Sequence, residues 1–400
     1  MAENYQRIYI FANIKCKITM LKESIHIYNF GPITEVELVD IHSLLVLIGP
    51  SGKGKSTILK LLSIFRWLYK RACIKTYLKK AGVKKLGREI KFKKLLKISG
   101  IDEYLTTNTH IVYTRGGTKI IFNSGKLNTG NLLVNELSCE KIAFISDKRS
   151  IIADYLEHKI ERRSAGYYLQ DTIDNFMIAK DIIKKMDLEY LGVTFKVEKS
   201  NNETKYRFYS IDNDSVVRMS AGSSGMQTVT PLCMIAEYFA HHFNPIKAFS
   251  ESLWKFLSDS DNLSEFSSVL NVGDIQEKNV HLLVEEPELN LDPYGQIQLV
   301  DQLVDICFGG TSEYNMTLAL ATHSPYILNY LNLLIQRNKH NNTEGVNLNV
   351  DKISVYEINS GTSIDLKTEI SGNQKIINAI SMSEPLSEIY AEYNNLAKSF

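Results

Sequence analysis

Gly49-Pro-Ser51-Gly52-Lys-Gly54-Lys55-Ser56-Thr57 constrains this chain more than any other stretch. It satisfies the spacing G-x4-G-K-[ST], whose mechanism demands a buried strand before it and a helix after it. Both are legible. Residues 44–48 form a continuous apolar run, as a strand covered on both faces requires. From Ser56 to about Tyr69 apolar residues recur with helical period. The glycines at 49, 52 and 54 let backbone N–H groups converge on phosphates, and the helix N-terminus adds positive potential. Lys55 is expected to reach the β- and γ-phosphates of ATP, and Ser56 to ligate Mg²⁺, with Ser51 and Thr57 completing the cradle.

Two later apolar runs end in chemistry. His281-Leu-Leu-Val284-Glu285-Glu286 reads as a buried strand closing in paired carboxylates. Ligands bind at the carboxyl ends of strands in α/β sheets. Glu285 is therefore expected to hold Mg²⁺, and Glu286 to polarise the attacking water. Taken alone, the pair reads equally as a solvated acidic turn. Leu320-Ala321-Thr322-His323-Ser324-Pro325 closes the next run, and His323 can donate a hydrogen bond to a γ-phosphate.

The rest of the chain organises around these motifs. Residues 24–30 alternate as a strand, Gly31-Pro32 turns it, and 34–39 form its mate. Residues 110–113, 119–122 and 143–146 read as strands, 150–190 as mainly helical, and 194–209 as a hairpin turning at Asn201-Asn202. A helix over 228–241 follows, and 352–358 with 362–366 suggest a late hairpin. The expected division is an N-terminal arm (1–22), a first ATPase segment (23–65), and an inserted helical and strand lobe (66–214). A second ATPase segment (215–370, with an insertion at 244–279) and a C-terminal helical tail (371–400) complete it.

Composition excludes more than it selects. Net charge is +1, so no global field argues for a polyanionic partner. Five scattered cysteines without CxxC spacing suggest neither zinc nor a disulfide framework, but reduced thiols in a cytoplasm. No apolar run approaches the roughly 20 residues that span a bilayer. The N-terminal 20 residues lack the pattern of a secretory signal. Locally the picture differs. Residues 66–97 carry thirteen Lys and Arg against Glu89 alone, interleaved with Trp67, Tyr69, Tyr77 and Phe92, and Phe65 just precedes them. This reads as a surface for DNA or RNA, through phosphate neutralisation and stacking. A face docking an acidic protein and a plain solvated face are the alternatives.

Glu286-Pro-Glu-Leu-Asn-Leu-Asp292-Pro293 resembles the catalytic glutamate and D-loop of ABC-type ATPases. Ser223-Ser224-Gly225-Met226-Gln227 is similar to a degenerate ABC signature, with Met226 where the family has a second glycine. The order of P-loop, signature, Walker B, D-loop and switch His is also that family's. "IHIYNFGPI…LVLIGPSGKGKSTI", "VEEPELNLDP" and "ATHSPYIL" are closest to the OLD-like and SMC/RecF-like subgroup. The likeness covers residues 23–62 and 215–335. It implies an α/β ABC-type head with a mixed sheet core, N-terminal antiparallel strands and helical insertions. It also implies ATP sandwiched head-to-tail between two copies, a homodimer or higher homo-oligomer. Ser224, with the amide of Gly225, would then touch the γ-phosphate held by the other copy, and Gln227 and Asp292 would join the nucleotide-binding set. The chain departs from the pattern in two ways. Ser224 and Glu286 are further apart than in ABC heads, and no Q-loop glutamine stands near residues 145–150. The 65 residues after Ile335 (400 − 335) lack the spaced acids of a TOPRIM nuclease. The resemblance therefore implies a sensor ATPase controlling a separate effector, as in the anti-phage Septu, PARIS and retron-associated systems. A DNA-repair or chromosome-maintenance ATPase and a transporter ATP-binding subunit are the competing readings.

Overall fold

The computed structural model describes residues 21–84, 90–200, 203–258, 271–310, 312–340, 345–370, 374–379 and 388–394. The N-terminal arm lies almost wholly outside the described residues, as do Lys85, Arg88 and Glu89 of the basic segment.

Strands β1 (Glu23–Phe30), β2 (Ile33–Leu38) and β3 (Leu44–Ile48) lead into helix α1 (Lys55–Lys80). Helix α2 (Phe92–Ile98) precedes β4 (Leu105–Arg115), β5 (Thr118–Asn123), β6 (Lys126–Asn128) and β7 (Ser138–Ile145). Then come α3 (Ile152–Leu156), α4 (Tyr167–Ile182), β8 (Lys185–Leu188), β9 (Val193–Ser200), β10 (Glu203–Ser210) and β11 (Val216–Arg218). They are followed by α5 (Ser224–Glu237), α6 (Pro245–Ser258), β12 (Glu277–Glu285), α7 (Pro293–Val304), β13 (Asn315–Thr322) and α8 (Pro325–Lys339). The chain continues through β14 (Ile353–Asn359), β15 (Thr362–Asp365), β16 (Lys367–Ile370) and β17 (Gln374–Ile377).

An eleven-stranded sheet runs β6-β5-β4-β1-β2-β15-β14-β3-β13-β12-β7. Its β14-β3-β13-β12-β7 half is parallel. Its β6-β5-β4-β1-β2 half is antiparallel throughout. The halves join where β15 meets β2 through one parallel pair, Thr362 with Glu35. Strands β8 to β11 form a separate four-stranded sheet, and β16 with β17 a two-stranded one. The molecule is thus α/β around a large mixed sheet.

The apolar run of β3 explains its central place. Leu44, Val46 and Ile48 face the core built by α5, α7 and α8. Leu45 and Leu47 face the core shared by α1 and the antiparallel wing. All five are at most 1% exposed. Each such side chain contributes about 1.5–3 kcal/mol over its exposed state.

The structure corrects the reading of the basic segment. Helix α1 does not end near Tyr69 but runs on to Lys80. Leu68, Tyr69, Cys73, Ile74, Tyr77 and Leu78 keep one apolar stripe against the core, while the lysines occupy the rest. Phe65, Tyr69, Tyr77 and Phe92 are core residues, so they offer no ring face to a base. Nor does Glu89 alone oppose the segment's charge. Arg66 is buried, and its Nε and Nη2 donate to the Glu23 carboxylate, each at 2.8 Å. Burial alone would raise the Glu23 carboxyl, but the Arg66 guanidinium holds it well below the usual range. In the 244–279 stretch, α6 places Phe249, Leu253 and Leu257 in the α1 core. Gln374–Ile377, expected within a helical tail, is a strand, whereas 388–394 are helical. Among the described residues no helix is long and apolar enough to cross a membrane. Cys73, Cys139, Cys233 and Cys307 are free and buried.

Candidate functional site

Parallel register decides which loops meet. Ile48 pairs with Thr322, Ala321 with Glu285, and Val284 with Ile145. The segments beginning at Gly49, Ser146, Glu286 and His323 therefore leave adjacent strands at one carboxyl edge.

The loop after β3 is shaped by its glycines. Gly49 has φ 142°, and a Cβ there would lie 2.3 Å from the Ile358 carbonyl oxygen of β14. Only glycine allows that approach. Gly52, at φ 74°, faces open space, and Gly54, at φ 102°, caps α1. Ser51 is exposed at the loop tip, and Thr57 is buried on α1. Lys55 Nζ donates to the carbonyls of Gly49 and Pro50, each at 2.8 Å. The loop thus curls around its own ammonium. Burial lowers that ammonium to about 8, against the pull of Glu288 and Glu286.

Across the edge, Glu285 is buried and Lys60 Nζ stands 4.0 Å from its Oε1. Burial raises the Glu285 carboxyl, opposed by the Lys60 ammonium and by the nearby Ser56 hydroxyl. Glu286 follows with φ 44°, and its amide donates to Ala321 O at 2.8 Å. Left-handed backbone at a non-glycine residue is the strained geometry that clusters at functional sites. His323 Nδ1 lies 3.3 Å from Lys55 Nζ. A lysine ammonium only donates, so Nδ1 accepts and the ring proton is assigned to Nε2. That nitrogen is 3.7 Å from Glu286 Oε1.

The structure brings Lys55, Ser56, Glu285, Glu286 and His323 together. It does not bring Ser224, Gly225, Gln227 and Asp292 to them. Ser224 is exposed at the start of α5, where the Ser223 hydroxyl accepts from the Met226 amide. Gln227 Nε2 donates to the carbonyls of Ser220 and Gly222, folding the signature loop onto itself. Asp292 Oδ1 accepts from the amides of Tyr294 and Gly295 and caps α7. Among the described residues none of these side chains is hydrogen-bonded or ion-paired to residues 49–57.

Two residues that no motif singles out complete the site. Glu288 Oε1 accepts from the His323 amide at 2.6 Å, and its buried Oε2 has no partner among the described residues. Arg149 is fully buried in the segment after β7 and, among the described residues, donates only to backbone carbonyls. The spacing of Glu288 from Glu286 across Pro287 is the one sequence signal for the first. Nothing local in the sequence marks the second.

No family model matches the sequence, and no curated protein matches it. Solved structures similar to the chain include the SMC head domain from Thermotoga maritima. It has 11% identity over 88% of this chain and 100% of that one, with a TM-score of 0.34. The Smc head domain with an extended coiled coil, bound to the C-terminal domain of ScpA and derived from Pyrococcus furiosus, has 11% identity. It covers 93% of this chain and 99% of that one, with a TM-score of 0.38. The recombination mediator protein RecF has 12% identity over 86% of this chain and 98% of that one, with a TM-score of 0.32.

Proposed function

We propose that the chain binds ATP with Mg²⁺ and hydrolyses it at the edge formed by β3, β12 and β13. The carrying observation is the convergence of Lys55, Ser56, Glu285, Glu286 and His323 there, around a glycine loop opening a helix. The residues fit the group. Gly52 leaves open space above the loop, and Ser56 with Glu285 supplies a hydroxyl and a carboxylate, hard oxygen donors suited to Mg²⁺. Among the described residues no cluster of three or more His, Cys, Asp or Glu forms a cation cage. A Mg²⁺ shared with phosphates requires none. When bound, the cation would neutralise charge developing on the phosphoryl oxygens.

The chain's own residues supply the rest. Loop amides and Lys55 hold the phosphates. Glu286 orients a water and takes its proton, and His323 Nε2–H donates to the oxygen where charge grows. Glu286→Gln is expected to keep ATP binding while turnover falls by about 10²-fold or more. Unchanged turnover removes Glu286 from that role.

We assign the exposed start of α5 to the nucleotide of a second copy, with Ser224 and Gly225 at its phosphates and Asp292 alongside. An exposed helix N-terminus favours anions, which supports this reading. The resemblance of the motifs supports a biological output as regulator of a separate effector in an anti-phage complex. A DNA-linked maintenance role is the second reading, favoured by the exposed lysines of α1 and α2.

A further inference from the structure

Arg149 sits in an unusual position for a buried cation. Its guanidinium is 0% exposed and, among the described residues, makes no hydrogen bond to a carboxylate. Nε donates to Thr228 O at 3.0 Å, on α5. Nη1 donates to Glu285 O at 2.8 Å and Ser146 O at 3.3 Å. Nη2 donates to Glu286 O at 2.7 Å and Pro287 O at 3.3 Å. One rigid fork thus joins the helix that begins at Ser224 to the turn that carries Glu286. A point-charge lysine cannot reproduce that planar array.

Two further contacts run along the same line. Thr228 Oγ1 lies 3.0 Å from Leu289 O, and its one proton is shared among that carbonyl and those of Ser224 and Gly225 in its own helix. A Cβ at Gly225 would lie 2.9 Å from Asn290 O, so the first turn of α5 lies directly against residues 289–290. The turn so held is strained twice, with positive φ at Glu286 and at Asn290. Strained backbone persists only where its surroundings over-determine it. The carbonyl of Glu286 is one of the groups that Arg149 grips.

We infer that Arg149 is a positioning residue that makes α5 and the Glu286 turn move as one body. The inference builds on the proposed ATPase site. An anion met at the start of α5 then sets the position of the Glu286 carboxylate within the same chain. Arg149 touches neither phosphate nor water and acts through the backbone of Glu285, Glu286 and Pro287.

The test uses Arg149→Lys and Arg149→Gln. ATP affinity, read by nucleotide titration, is expected to stay within about threefold, while kcat falls about tenfold or more. Coupling is read by a double-mutant cycle with Ser224→Ala. In the wild-type background Ser224→Ala is expected to lower kcat, and in Arg149→Lys to add little further loss. Additive losses, or an unchanged kcat, overturn the inference. Hydrogen exchange on the full chain reads the same link without turnover. Amides of 224–228 and 286–291 should lose protection together in Arg149→Lys, with the rest of the sheet unchanged. Loss confined to one segment overturns the inference even if the wild-type chain proves not to hydrolyse ATP. Absent nucleotide binding in wild type, with paired loss intact, counts against the ATPase reading alone. Should Arg149→Lys not fold, hydrogen exchange of the wild-type chain over a denaturant series must show 224–228 and 286–291 opening as one unit, and separate openings overturn the inference.

Discussion

At the scale of single residues, Lys55 links burial to ligand affinity. Burial pulls its ammonium down to about 8, and bound phosphates would favour the charged form. ATP affinity should therefore fall as pH rises through about 8, by up to about tenfold per unit where the free loop lysine is neutral. Lys55→Arg stays charged throughout, so its affinity should be flat over the same range. Titration with a fluorescent nucleotide from pH 6.5 to 9.5 at fixed ionic strength decides it, and a flat wild-type profile overturns the idea. The stability sign differs. The folded pKa lies below the unfolded value of about 10.4, so the unfolded chain binds more protons between them. This group therefore adds stability as pH rises through that window. Residues of this kind were legible in the sequence because their chemistry is local: Gly49, Lys55, Ser56 and Glu285 stand in fixed spacings. Arg149 and Glu288 were not. Their partners are the backbone carbonyls of Thr228, Glu285, Glu286 and Pro287 and the backbone amide of His323, groups that do not depend on which side chain stands there.

At the scale of elements, α1 is half legible. Its first turns show a clean helical period, and its second half hides one behind charge. Once Leu68, Cys73, Ile74 and Tyr77 are placed in the core, Lys79 and Lys80 stand exposed in the last turn, where cations suit the helix dipole. Lys75, Lys79 and Lys80 line a groove of about 610 Å³ closed by residues 129–134. Lys93, Lys94 and Lys97 are exposed on α2, beside α1 through the Phe65–Phe92 contact. With Phe65, Tyr69, Tyr77 and Phe92 in the core and only Trp67 partly exposed, nucleic-acid contact here would be mainly phosphate neutralisation. Lys79→Glu, Lys80→Glu, Lys93→Glu and Lys94→Glu together should abolish DNA or RNA binding in a filter or anisotropy assay. Single Lys→Ala changes should each lower the salt slope on duplex DNA by about 0.9. Binding that survives the quadruple change assigns these lysines to solvent or to an acidic protein. Strand β17 was illegible for another reason: four residues, Gln374–Ile377, carry no periodic signal and become a strand only by pairing with β16.

At the scale of the whole molecule, the site is divided. Lys55, Ser56, Glu285, Glu286 and His323 meet at one sheet edge, while Ser224 stands exposed at the start of α5 without a tie to the loop. Motif order announced both halves, but order along a chain does not say whether they close on each other in one copy or across two. Two defective chains can. Lys55→Ala removes the phosphate lysine from its own loop, and Ser224→Arg blocks the signature of its own α5. In a head-to-tail pair of one of each, one site joins the intact loop to the intact signature, and the other joins both defects. Random pairing at equal concentrations makes half of all dimers mixed, and each has one working site of two. Turnover should recover to roughly a quarter of the wild-type value, from near zero for either variant alone. If instead the signature served the loop of its own chain, both variants would stay dead in every pairing. An inactive mixture, with mixed dimers demonstrated by two affinity tags, therefore rules out capping between copies.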